Sequence, residues 1–210
     1  MNNRTKLFYI FLLITLLISI VFRVPIEPFF EYDAKDIFLG LFGIILGTPS
    51  AFILTVVVIS LELIMVSFFG IQGFIMNLCS TLLFVCLLSY IYSKKPCFKM
   101  VIIGGVISTI ISTFIMIFYN YVILTSMEYS KIEVINLIIE FVIPFNFFKN
   151  LFNTFCICIL YKPIIKLLSK YKLAHKINIF NYSYRIANMI FISIIVIMMI
   201  LPIFLMIISY

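Results

Sequence analysis

The chain alternates long apolar runs with short polar breaks, and the runs set the architecture. A run of about 20 apolar residues reads as a membrane-spanning helix, because a helix rises 1.5 Å per residue and the hydrocarbon core is about 30 Å thick. Such runs fall at 7–22, 50–69, 73–92, 100–124, 144–161 and 186–209. The stretch at 37–69 is too long for one helix and short for two. Gly47-Thr48-Pro49-Ser50 divides it: Thr48 predicts an N-cap and Pro49 a first helical residue. That leaves a short helix over 36–46, about 16 Å long at 1.5 Å per residue. It cannot cross the core unaided and needs protein around it. Pro144 predicts a helix start, with 136–143 as a membrane-edge segment ahead of it. The predicted fold is all-α and polytopic. Residues 1–172 form a six-helix bundle, 173–185 a basic cytoplasmic linker, and 186–210 a seventh transmembrane helix.

Charge orients this layout. With a cytoplasmic N-terminus and 37–69 counted as two spans, Arg4, Lys6, Lys94, Lys95, Lys99 and the basic residues from Lys162 to Arg185 lie inside. Arg23, Lys35 and Lys131 lie outside, and so do Glu27, Glu31, Asp33, Asp36, Glu128 and Glu133. Counting 37–69 as one span would move Lys94, Lys95 and Lys99 outside, against the positive-inside rule.

Composition agrees with the pattern. At 65% hydrophobic and 11% charged residues, the chain is far from a soluble domain. The net charge of +7 sits in clusters between apolar runs, which suits a lipid bilayer as partner and not nucleic acid. The five cysteines show no disulfide or metal spacing. No G-x-x-x-x-G-K-[ST], H-E-x-x-H or G-x-S-x-G motif occurs. The chain therefore reads as a non-enzyme without its own ATPase, metal or cofactor.

The informative residues are polar ones at membrane depth. In Pro144-Phe-Asn146-Phe-Phe-Lys149-Asn150-Leu-Phe-Asn153, the residues Asn146, Lys149 and Asn153 share one helix face. A lysine at mid-bilayer costs about 2.5–3.5 kcal/mol on insertion scales. Near its helix start, Lys149 has two options: snorkelling outward, or the inward polar face that the two asparagines favour. Asn150 departs from that stripe, toward a neighbouring helix. Asn120 reads either as part of an interfacial aromatic belt or as a site residue, and Asn77 as a helix–helix contact or a pocket contact. Glu62 reads as protonated, paired with Lys149, or part of a site. The segment 23–36, with two prolines and four acids, suits a lid over a cavity or a plain interfacial loop. Gly40, Gly43 and Gly47, like Gly104, Gly105 and Ser108, predict close helix packing. Thr15 and Ser19 give the first helix a small-residue edge for a partner helix.

These residues form an ordered series. Tyr32-Asp33-Ala-Lys-Asp36 precedes the short Gly-rich helix, and Ile71-x-Gly73-x-Ile-Met-Asn77 follows. Asn120-Tyr121, Pro144-Phe-Asn146-x-x-Lys149 and Leu160-Tyr161-Lys162-Pro163 complete it. The series resembles the riboflavin-specific substrate-binding S components of energy-coupling factor (ECF) vitamin transporters, over about residues 5–172. The resemblance implies a six-helix bundle that binds riboflavin beneath its first extracellular loop. It also implies docking on a transmembrane coupling subunit with two ATPases, with riboflavin as cargo. It carries flavin-edge contacts to Asn120, Asn146 and Lys149, and ribityl contacts to Asp33, Asp36 and Asn77. The family's Ala-x-x-x-Ala edge in the first helix is missing; Thr15 and Ser19 stand in its place. A seventh span has no counterpart in the six-helix pattern. Two rival readings are the same fold carrying another vitamin, a flavin nucleotide or a queuosine-type precursor, and a membrane scaffold whose polar residues only join helices.

Overall fold

The breaks in the apolar pattern are where the helices end. A computed structural model describes residues 3–26, 30–66, 70–127 and 129–170. Helix α1 (Asn3–Val21) leads into an antiparallel hairpin of β1 (Arg23–Ile26) and β2 (Phe30–Asp33), followed by the short α2 (Lys35–Leu46). Then come α3 (Thr48–Val66), α4 (Gly70–Lys94), α5 (Phe98–Ser126) and α6 (Lys131–Leu137). A π-helical turn (Ile138–Val142) carries α6 into α7 (Ile143–Lys170). The fold is a polytopic membrane bundle, and among the described residues four helices are long and apolar enough to cross a membrane. The predicted linker at 173–185, with His175, and the predicted helix at 186–210 lie outside the described residues.

The short helix lies at the centre of the bundle. Every residue of α2 except Phe38 is buried, and α1, α3, α4 and α7 pack around it. A helix too short to span is thereby kept away from lipid, as its length required. Gly47 ends it at φ 89°, a conformation that only glycine takes without strain, and its N–H donates to Gly43 O at 2.8 Å. Thr48 is the first residue of α3 and not its cap. Its hydroxyl donates to Ser89 Oγ at 3.3 Å, and Ser89 in turn donates to Gly43 O at 2.7 Å. At this depth the hydroxyl joins two helices instead of closing one.

The glycines pack as their spacing predicted. Gly40 lies against Ile157 of α7, Gly43 against Ser89 and Ala51, and Gly104 against Leu88. Gly105 is the tightest, since a Cβ there would sit 2.2 Å from Cγ2 of Thr154. Gly105→Ala should force α5 and α7 apart and cost about 1–3 kcal/mol, as overpacking does. A lower melting temperature in detergent would show it, and adding Thr154→Ala should recover most of the loss.

Three expectations need correcting. The segment 23–36, expected to be a loop, instead forms paired strands over Arg23–Ile26 and Phe30–Asp33, in which Pro25 is tolerated because a two-stranded sheet has only edges. The stretch 136–143 is part of one continuous helix from Lys131 to Lys170. Pro144 has no N–H to offer and would crowd the carbonyl four residues back. The helix widens just before it, and the Ile143 N–H reaches back five residues to Ile138 O. A capping box starts this long element: the Ser130 hydroxyl accepts from the Glu133 N–H, and the Glu133 carboxylate accepts from the Ser130 N–H. Thirdly, Thr15 and Ser19 do not form an outward edge. Both are buried, with hydroxyls donating to Phe11 O and Leu16 O of their own helix. The exposed side of α1 carries Leu13, Leu17 and Ile20 instead.

Candidate ligand site at the hairpin end

The hairpin, the start of α2, the end of α3, the start of α4, the end of α5 and the start of α7 all meet at one end of the bundle. The lysines at 94, 95, 99, 162, 166 and 170 mark the other end.

Lys149 does not snorkel. It is 6% exposed, and its Nζ lies 2.9 Å from Oδ2 of Asp36, which is completely buried at the start of α2. The other Asp36 oxygen accepts from the Thr81 hydroxyl at 2.9 Å. A carboxylate in the first turn of α2 also meets the positive end of that helix. The cost of sinking an ammonium among apolar side chains is thus offset by a counter-charge within the chain.

A second buried lysine accompanies it. Lys35, assigned by charge parity to an outer loop, is fully buried. Its Nζ bonds the Asp33 carboxylate and lies 3.0 Å from Oε2 of Glu62. Glu62 therefore pairs with Lys35 and not with Lys149. The Asn77 amide approaches the same Glu62 oxygen at 3.4 Å, and Thr81 lies 3.4 Å from Oδ1 of Asn77. The two ion clusters are thereby joined through Asn77 and Thr81. One signal pointed to Lys35: a carboxylate in mid-span needs a cation nearby. The polar neighbourhood of Lys35 hid it, because the hairpin that sinks the start of α2 into the bundle is a tertiary feature.

Asn120, Asn146, Asn150 and Asn153 are all buried. Asn146 donates to Val142 O at 2.9 Å and accepts from the Ser80 hydroxyl at 3.3 Å. Asn150 donates to Ser112 Oγ of α5 at 2.9 Å, which is the neighbouring-helix contact expected of it. Asn153 accepts from the Tyr32 hydroxyl at 3.0 Å, so the hairpin is tied to α7 as well as to α3. Asn120 is completely buried, not part of an interfacial belt, and donates to Met116 O of its own helix at 2.8 Å. The structure thus gathers Asp33, Asp36, Asn77 and Lys149 into one network and places Asn146 one turn from Lys149. No hydrogen bond links Asn120 to that network among the described residues. Among the described residues several buried amide atoms are without a partner: Oδ1 of Asn120, Oδ1 of Asn150 and Nδ2 of Asn153. Buried polar groups are rarely left so, and such amides suit a ligand that hydrogen-bonds.

No protein-family model matches the chain, and no curated protein matches it. Among solved structures it is similar to one described as "Structure and mechanism of the S component of a bacterial ECF transporter". The identity is 22% and the TM-score 0.66, over 80% of this chain and 98% of that one. The two proteins share a fold.

Proposed function

We propose that this protein is the substrate-capturing membrane subunit of an ECF-type importer, with riboflavin as its cargo. The observation that carries the reading is the buried set of Lys149, Asn146 and Asn120, whose Oδ1 has no partner, in a fold shared with an S component. An ammonium has three donors, and the contact with Asp36 leaves Lys149 able to donate to a ligand carbonyl. The ion pair holds that amine in place before the ligand arrives. A flavin's pyrimidine edge offers carbonyls and an imide N–H, which match an ammonium and amides. The surrounding apolar walls suit its dimethylbenzene side.

The charge distribution supports the orientation. Lysines crowd the end opposite the hairpin, which by the positive-inside rule favours a cytoplasmic N-terminus and an outward-facing site. The chain carries no phosphate-loop motif, so energy would come from a coupling subunit and two ATPases. Flavin here is cargo, not cofactor, and no bond is made or broken.

Purified protein should quench riboflavin fluorescence on titration. Asn146→Ala should weaken binding by about 10–100-fold, the range expected when a buried polar partner is lost. A wild-type protein that leaves riboflavin fluorescence unchanged would rule the cargo out. A panel of other vitamins and flavin nucleotides would then identify the alternative.

A further inference from the structure

We infer that Asn150 and Asn153 form a deeper polar subsite that takes a hydroxyl group of the ligand, separate from the ion network beside it. The inference rests on the cargo reading above and concerns the substrate's tail. The two residues lie three apart on α7, so their Cβ atoms are about 5–6 Å apart. Both are completely buried. Each has one end of its amide engaged, Asn150 Nδ2 by Ser112 and Asn153 Oδ1 by Tyr32. What remains is a free acceptor, Asn150 Oδ1, and, three residues further along α7, a free donor, Asn153 Nδ2.

A group that both donates and accepts can answer both amides at once. A hydroxyl does so, whereas a carbonyl or an ammonium answers only one. Asn153 sits four residues beyond Lys149, about 6 Å deeper at 1.5 Å per residue. A ligand whose ring edge meets Lys149 and Asn146 would reach this level with a hydroxylated chain. The carboxylates of Asp33 and Asp36, to which the resemblance gave that role, each already hold a buried lysine, beside which they keep some acceptor capacity. Lys35 takes both Asp33 oxygens, and Lys149 and Thr81 take those of Asp36.

The test is a titration of wild type, Asn150→Leu and Asn153→Leu with riboflavin and with lumiflavin, which has the same ring but a methyl group in place of the ribityl chain. Wild type should prefer riboflavin. Each variant should lose about 10–100-fold in riboflavin affinity, as expected for an unmet buried hydrogen bond. Lumiflavin affinity should stay unchanged, which also reports that the variants are folded. Riboflavin affinity kept in both variants would overturn the subsite, leaving water as its occupant. Equal weakening of both flavins would overturn it too, as a structural effect. Wild type binding both flavins equally defeats the subsite alone, whereas wild type binding neither defeats the cargo reading and the subsite with it.

Discussion

Lys149→Met is expected to cost about 3–5 kcal/mol of stability, the usual result of leaving one charge of a buried pair without its partner. Asp36 is completely buried, and its Oδ2 faces the Lys149 ammonium at 2.9 Å, so the variant strands that carboxylate. Riboflavin binding should fall by at least about 100-fold, as for a charged donor lost from a desolvated site. The two effects separate in a double variant. Lys149→Met with Asp36→Asn removes both charges, and buried pairs replaced together are often close to neutral. Its melting temperature in detergent should return to near the wild-type value while flavin binding stays lost. Recovery of binding in the double variant would show that the lysine serves the fold and not the ligand.

Lys35→Met should be at least as damaging to the fold. Its ammonium holds the Asp33 carboxylate at the hairpin's end and Oε2 of Glu62 on α3. Without it two carboxylates share one buried space, and like charges there repel strongly. A loss of about 3–5 kcal/mol is expected, by the same reasoning about stranded buried charge. Adding Asp33→Asn and Glu62→Gln should restore most of it. The measurement is thermal or denaturant unfolding of the purified protein. A single Lys35→Met variant as stable as wild type would mean that the hairpin needs no ionic anchor.

Much of this arrangement could be read before any coordinates, and the remainder was hidden for identifiable reasons. Gly47-Thr48-Pro49 revealed a helix too short to span, and with it the need for a helix surrounded by protein. Asn146, Lys149 and Asn153 revealed an inward polar face, because polar groups stand out against lipid. The orientation of Thr15 and Ser19 was not legible. In a membrane bundle both the lipid side and the interior are apolar, so spacing alone does not say which face is buried. Lys35 was missed for the converse reason. Its neighbours Glu31, Asp33 and Asp36 look like a solvated loop, and only the pairing of β1 with β2 draws that stretch under the bundle's end. Asn120 was obscured by Tyr119 and Tyr121, whose amphipathic rings suit an interface but which are themselves buried.

The π turn at Ile138–Val142 has a consequence for aim. An α-helix advances about 100° per residue, and a π turn accommodates one residue more than an α turn. Everything after it on α7 is therefore clocked by about one residue relative to α6. The inward heading of Asn146, Lys149, Asn150 and Asn153 includes that offset. Excising a single residue from the turn should return it to an α-helical turn with all four still facing inward, whereas tightening the turn with its extra residue kept would swing them by about 100° toward hydrocarbon. The winding just upstream, as much as the identity of the four residues, decides where they point.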